Sequence, residues 1–285
     1  MERGAANTDM KLALVISVEE TGFDAVAMRG GWADAARSAA ALGYDGVELA
    51  VRDPARVDLD ALTRLLHETE LKVPAVGTGQ AYLADGLSLS HPDEGIRARA
   101  IERVEAHIRF AAQISAAVII GLIRGRISDN RPSTEARLTA SLHSLLRVAD
   151  LEGVWLIIEP INRYETDLLT TVDETVAFID RIGAERLGIL ADTFHMNIEE
   201  VSIAASLREA GSRLRHVHTA DSNRHAPGWG HLDFAAVLAT LRAMSYRGWF
   251  SAEILPRPDP LAAAQQTITH LRSLSSKTPL KEGMA

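Results

Sequence analysis

Four residues with side chains that can bind a metal ion close short apolar runs in the second half of the chain. They are Glu159, Asp192, His218 and Glu253. Three carboxylates and one imidazole form a mixed oxygen and nitrogen donor set, which suits Mn²⁺, Mg²⁺ or Co²⁺ better than a soft metal. We therefore predict one divalent metal ion in each subunit, with Mn²⁺ as the preferred ion.

Each of these residues alone has a structural alternative, because an acidic residue after a strand is often a helix cap or the partner of an arginine. This structural alternative explains the four residues together less well than it explains any one of them. Carboxylates that converge on one point repel each other unless a cation offsets their charge. The joint pattern therefore favours a metal site.

The elements that position these residues are short apolar strands that alternate with amphipathic helices. Eight strands are predicted, at residues 11–17, 46–50, 72–78, 117–122, 154–160, 187–193, 214–220 and 248–255. Most are continuously apolar, as is typical of parallel strands buried on both faces. Eight alternations, with no G-x-G-x-x-G motif after the first strand, predict an α/β fold with one (β/α)8 TIM barrel at residues 10–275. The tails at 1–9 and 276–285 are predicted to be disordered.

Capping residues support the predicted helices. Helix-like segments at 32–43, 58–70, 93–115 and 133–153 repeat apolar residues at helical spacing. Helix starts are predicted at Asp58, Ser133 and Asp173, and helix ends at Gly43, Gly153 and Gly183.

The carboxyl ends of the strands are where the chemistry of such barrels lies. Strand five is predicted to end in Glu159 and strand six in Asp192, while strands seven and eight carry His218 and Glu253. We expect these side chains to meet at one mouth of the barrel. His216 shares the face of His218 by the two-residue period, and we predict that it lies deeper, as a hydrogen-bonded core histidine.

Composition narrows the classes of function. The 285 residues carry a net charge of −8, which argues against a nucleic-acid partner and favours a small-molecule substrate. The chain has no cysteine, so it has no disulfide or thiolate site, and the cytoplasm is the predicted location. The first apolar run spans only about seven residues, so neither a signal peptide nor a membrane segment is predicted.

Four motifs resemble the xylose isomerase-like barrel superfamily, and within it the ketose 3-epimerases of tagatose and psicose. They are EPINRYET (159–166), DTFHMN (192–197), HVHTADSNR (216–224) and AEIL (252–255). The resemblance implies that the four residues named first are the metal ligands. It also implies that Glu165, His195 and Arg224 contact substrate oxygens, and that the protein is a homodimer or homotetramer.

The expected chemistry is epimerisation of a ketose or a keto-sugar acid. A proton next to a ketone is too weakly acidic for an unaided carboxylate, so the site must stabilise the enediolate that forms. A metal ion bound to the substrate oxygens would do this as a Lewis acid. Glu159 and Glu253 would flank the sugar, one removing the proton and the other returning it to the opposite face.

Two arginines after strand four suggest an acidic substrate. Arg124 and Arg126 lie in IRGRISDNR, and guanidinium groups suit bidentate recognition of a carboxylate. A solvated basic loop is the alternative. The surrounding pattern looks like the branch that contains 5-keto-L-gluconate epimerase, which interconverts this ketoacid with D-tagaturonate. Unlike simple ketose epimerases, the chain has no aromatic residue near the first strand until Phe23.

Other functions remain open. An aldose–ketose isomerase, such as a hydroxypyruvate isomerase-like enzyme, would use the same enediolate and return the proton to the neighbouring carbon. A non-catalytic sugar-binding barrel would not need a carboxylate on each face. An endonuclease IV-like nuclease is disfavoured, because residues 77–79 and Gly121 stand where its additional histidines would lie.

Overall fold

Eight parallel strands close into a barrel in the computed structural model, which describes residues 10–19, 22–28 and 31–275. The strands are β1 (Lys11–Ser17), β2 (Gly46–Ala50), β3 (Ala75–Gly77), β4 (Ala117–Ile120), β5 (Leu156–Ile158), β6 (Leu187–Asp192), β7 (Leu214–His218) and β8 (Trp249–Ala252). Each strand pairs with the next, and β8 pairs with β1. The predicted fold is confirmed. The predicted tails lie outside the described residues.

The helices pack around this barrel. They are α1 (Trp32–Leu42), α2 (Leu59–Thr69), α3 (Gly79–Asp85), α4 (Glu94–Gln113), α5 (Arg131–Glu152), α6 (Val172–Ile182), α7 (Thr193–Glu199), α8 (Ile203–Ala210), α9 (Phe234–Ala243) and α10 (Pro260–Ser275). The short helices α3 and α7 were not predicted separately, and each follows closely on a strand. No helix in the described part of the chain combines the length and the apolar character needed to cross a bilayer.

The observed helix caps match the predicted capping residues in part. Asp58 caps α2 through a bond from the Ala61 amide, and the three predicted glycines end their helices with positive φ. The other two predicted starts are wrong. Asn130 and Thr171 are the caps of α5 and α6, which places Ser133 and Asp173 in the first turns. Both starts lie upstream because Asn and Thr are themselves good caps.

The barrel interior places the site by simple alternation along the strands. A buried apolar layer consists of Ala75, Ile119, Ile157 and Leu190. Side chains two residues apart in a strand share a face. The residues two positions further on are Gly77, Gly121, Glu159 and Asp192. The apolar layer therefore forms the floor, and the layer above it mixes carboxylates with glycines.

Candidate active site and metal centre

The four predicted metal ligands lie together at the mouth of the barrel. Glu159 and Glu253 come one residue after β5 and β8, while Asp192 and His218 are the last residues of β6 and β7. One donor atom from each lies within 4.8 Å of the others. His218 Nδ1 is 3.5 Å from Glu159 Oε1 and 3.8 Å from Asp192 Oδ2. These separations exceed ordinary hydrogen bonds and fit ligand atoms arranged around an ion.

Unpartnered polar atoms support this interpretation. Glu159 Oε1, Asp192 Oδ2 and His218 Nδ1 are buried and have no hydrogen-bond partner among the described residues. Each such atom costs about 1–3 kcal/mol, and a charged one costs more. Three of them at one point, two on carboxylates, fit a divalent cation bound by oxygen and imidazole nitrogen.

The electrostatics of the cluster also favour added positive charge. Burial raises the pKa of Asp192 to about 6, and the nearby Glu159 carboxylate adds to the effect. Burial raises the pKa of Glu253 to about 8. Both shifts mean that these carboxylates are costly to ionise side by side without a counter-charge.

A fourth carboxylate, which the sequence analysis missed, orients the candidate histidine ligand. Glu48 on β2 is 2% exposed, and its Oε1 lies 2.9 Å from His218 Nε2. Its Oε2 lies 2.8 Å from His216 Nε2. Burial opposes ionisation of Glu48, but the two imidazoles outweigh it and lower its pKa below the usual range. With Nε2–H donated to Glu48, His218 presents its Nδ1 lone pair to the cluster.

The same hydrogen bonds explain the role of His216. It is 2% exposed, and its Nε2 also lies 2.8 Å from Ser251 Oγ. The structure therefore agrees with its prediction as a hydrogen-bonded core histidine. The signal for Glu48 was the single carboxylate inside the apolar run GVELA, which no cap or loop explains.

The residues predicted to contact substrate form a connected network beside the cluster. Arg224 donates to Glu165 Oε1 at 2.9 Å and to Glu253 Oε2 at 2.8 Å. Asn162, which was not predicted, donates to Glu165 Oε1 at 3.1 Å and lies 2.7 Å from His195 Nδ1. With Nδ1 accepting from Asn162, His195 carries its proton on Nε2 and can donate it into the site.

His195 is held as a neutral donor. Burial lowers its pKa well below the usual value, and the Arg224 guanidinium acts in the same direction. Its Nε2 lies 3.9 Å from Glu159 Oε1 and 3.8 Å from Asp192 Oδ2. A neutral N–H at this position can donate to an oxygen of a bound molecule.

Arg224 occupies an unusual backbone position. Its φ is 62°, a left-handed conformation that costs energy for a residue other than glycine. The guanidinium carbon lies 4.8 Å from the Phe194 ring centre and 5.3 Å from that of Phe23. Its Nε is buried without a partner among the described residues. Two rings and two carboxylates thus fix the guanidinium, while the Nε–H stays available.

An open pocket lies over these groups, with about 550 Å³ of empty space when the adjoining open solvent is included. Its lining includes Glu159, Glu165, His195, His218, Arg224 and Glu253, together with Phe23 and a wall of small residues around Gly77. Room is essential at Gly121, because a Cβ there would lie 2.8 Å from Glu159 Oε2. The pocket can therefore hold a small polar molecule against the candidate metal ligands.

The predicted anion site at Arg124 and Arg126 is wrong for Arg124. This side chain is fully buried, and its guanidinium donates to the carbonyl oxygens of Gly121, Leu168 and Leu169 at 2.8–3.1 Å. These bonds brace the loop after β5, and Arg124 lines neither the pocket over the metal cluster nor the depression beside Arg126. Arg126 is exposed and lines a separate depression with Ser88 and neighbouring residues.

Comparisons with known proteins agree with this fold. The sequence model of the xylose isomerase-like TIM barrel family matches residues 36–274. An L-ribulose 3-epimerase from a Methylomonas species is 31% identical over 250 residues, which cover 83% of this chain and 86% of the relative. The 3-dehydro-D-guloside 4-epimerase of Escherichia coli is 28% identical over 247 residues, covering 81% and 90%.

Solved structures share the same fold. The crystal structure of a D-allulose 3-epimerase from Methylomonas sp. in complex with D-allulose superposes with a TM-score of 0.80 at 26% sequence identity. The match covers 93% of this chain and 96% of that one.

Proposed function

This chain belongs to the xylose isomerase-like TIM-barrel family, and we propose that it is a metal-dependent epimerase that inverts one carbon of a ketose. The observation that carries the proposal is the cluster of Glu159, Asp192, His218 and Glu253, with buried and unpartnered donor atoms beneath an open pocket. The relatives named as ketose 3-epimerases and as a keto-sugar 4-epimerase support the same reaction type.

The positions of the two glutamates suit inversion. In the barrel order, β5 and β8 flank β6 and β7, so Glu159 and Glu253 lie on either side of Asp192 and His218. A sugar held over that pair has one carboxylate on each face. One glutamate removes the proton next to the carbonyl, and the other returns a proton to the opposite face.

The remaining residues bind and orient. A bound divalent metal ion supplies Lewis-acid polarisation of the ketone. Arg224 holds the Glu253 carboxylate in place through Nη2 and can donate its Nε–H to a substrate oxygen. His195, neutral and protonated on Nε2, offers a second donor. Burial of these groups strengthens each polar contact because water is excluded.

The proposal extends to the metal ligands, the metal ion, the cellular location and the oligomeric state. We propose Glu159, Asp192, His218 and Glu253 as the ligands of one metal ion per subunit, with Mn²⁺ preferred and Mg²⁺ or Co²⁺ as alternatives. The absence of cysteine supports a cytoplasmic enzyme. A homodimer or homotetramer stays a prediction that sizing of the purified protein can test.

The proposal is tested by product analysis. Purified protein loaded with Mn²⁺ is incubated with L-ribulose, D-allulose, D-tagatose and 5-keto-L-gluconate, and the products are separated by chromatography. We expect a new ketose epimer from at least one neutral ketose, and no product after treatment with a chelator. An aldose product would instead identify an aldose–ketose isomerase, and sugar binding without turnover would identify a binding barrel. Either result would contradict the proposal.

A further inference from the structure

Gln80 lies at the start of α3 and forms part of the pocket wall. Its side chain is buried, with 5% exposure. The amide Nε2 donates to Ser17 Oγ at 2.9 Å, and Ser17 Oγ donates its own proton to the Glu19 carbonyl oxygen. Because the only hydroxyl proton of Ser17 is used, Ser17 can only accept from Gln80. This hydrogen-bond chain fixes the amide with Nε2 towards Ser17.

The other end of the amide is left without a donor. Gln80 Oε1 has no hydrogen-bond partner within the part of the chain that the structure describes. Buried carbonyl oxygens without partners are rare in native proteins, and each one calls for an explanation. We propose that Gln80 Oε1 accepts a hydrogen bond from a hydroxyl of the bound substrate. This inference rests on the proposed epimerase function and extends it to substrate recognition.

The topology assigns the hydroxyl to the end of the sugar remote from the metal cluster. Gln80 follows β3, and β3 lies four strands from β7, directly across an eight-stranded barrel from His218. The wall between them is lined by Ala50, Gly77 and Gly79. These small side chains leave the space that the remote carbons of a ketose would fill.

The charges around Gln80 define the class of substrate. Among the described pocket residues, the cationic side chain is Arg224, and it is already bound by Glu165 and Glu253. A carboxylate at the remote end of a sugar would face the Gln80 acceptor, and no free cation among the described pocket residues would offset its charge. The described residues of the site therefore favour a neutral ketose over the acidic substrate that Arg124 had suggested.

The test first compares kcat/KM of different substrates in the wild-type enzyme, and then compares variants of Gln80 with the wild type. The neutral ketose that wild-type enzyme turns over fastest is measured beside its monodeoxy analogues, which lack the hydroxyl at C4, C5 or C6. One analogue is expected to lose about tenfold in kcat/KM, the effect of one hydrogen bond. In Gln80→Met the parent ketose should fall to the level of that analogue, while the analogue itself changes little. Gln113→Met, the same change on the exposed end of α4, is the control and should behave as wild type.

The outcomes separate this inference from the proposed function. Turnover of the parent ketose tests the epimerase itself. If the parent is turned over but every analogue matches it, or if Gln80→Met lowers parent and analogues by one common factor, the Gln80 subsite is wrong. Preference for 5-keto-L-gluconate over every neutral ketose would also overturn it. The analogue series in wild-type enzyme decides the question even if Gln80→Met does not fold.

Discussion

The two halves of the barrel mouth differ sharply in chemical character. The half formed by β5 to β8 carries the buried Glu159, Asp192 and His218 and the half-buried Glu253, and its three carboxylates lie close together despite their mutual repulsion. The half formed by β1 to β4 contributes uncharged residues to the described pocket wall, and Thr78 and Gln80 are polar ones among them. The difference indicates a division of labour, in which one half performs the chemistry and the other makes room for the substrate.

The largest loss of activity is expected from a substitution in the charged half. Asp192→Asn removes one anionic ligand, and we expect kcat to fall at least about 1,000-fold, because electrostatic stabilisation by a metal site is a dominant catalytic contribution. The metal-free variant should unfold at a higher temperature than metal-free wild type, since one repelling carboxylate is gone. Activity and thermal unfolding with a chelator check both parts.

The matched control is Asp180→Asn on the exposed face of α6, where Asp180 pairs with Arg213. It should leave activity and the effect of metal on stability unchanged. Equal activity of Asp192→Asn and Asp180→Asn would show that the cluster is not the reaction centre.

Glu48 is the exception that links the two halves, because it lies on β2 and contacts the histidine of β7. Glu48→Gln should weaken Mn²⁺ binding about 10- to 100-fold, since an amide no longer offers an anionic acceptor to both imidazoles. Titration calorimetry with Mn²⁺ measures this directly. Ser251→Ala removes a neighbour of His216 alone and should change affinity much less. Equal losses in both variants would indicate general damage to the core.

Two glycines in the uncharged half make a paired test of available space. A Cβ at residue 121 would meet the Glu159 carboxylate at 2.8 Å, whereas at residue 77 the nearest atom is 3.9 Å away. Gly121→Ala should therefore lower kcat about tenfold by displacing a reacting group. Gly77→Ala should retain kcat and alter mainly KM, because it narrows the pocket. Steady-state kinetics of the two variants compare them, and the reverse order would contradict the assigned geometry.

The smallest expected effect is the change with pH in the thermal stability of the metal-free protein. The pKa values of Asp192 and Glu253, raised by burial to about 6 and about 8, exceed the values near 4 expected in the unfolded chain. Between about pH 6.5 and 8, where unfolded histidines are already neutral, the folded state holds a proton on Glu253 that the unfolded state has lost, so stability falls as pH rises through this range. We expect the unfolding temperature to drop by several degrees across this range with a chelator, and to drop less with Mn²⁺. A metal-free stability that rises over the range would contradict the shifts.

The charged half was more predictable from sequence than the uncharged half. Glu159 and Asp192 could be found because each closes an apolar run, and strand ends meet at one mouth in any parallel barrel. The strands β5 and β8 are shorter than predicted, because apolar residues extend beyond the paired ones, at Val154 and Trp155 before β5 and at Ile254 and Leu255 after β8. Periodicity reports burial and cannot report where pairing stops.

The errors arose where tertiary contacts decide the role of a side chain. Arg124 follows a strand just as Glu159 does, but its guanidinium folds back onto three carbonyl oxygens, and no local pattern distinguishes the two cases. Glu48 and Gln80 act through partners that are distant along the chain, at His218 and Ser17. Their roles follow from closure of the barrel, which a single sequence does not contain.

Incorporation of solvent deuterium tests the central claim most directly, namely that Glu159 and Glu253 exchange a proton on opposite faces of one carbon. The Mn²⁺-loaded enzyme is supplied with its preferred ketose in D₂O, and the product is examined by NMR. The account predicts one deuterium at the inverted carbon and at no other position. An inverted product that carries no deuterium would contradict it, because the configuration would then have changed without a proton leaving to either carboxylate.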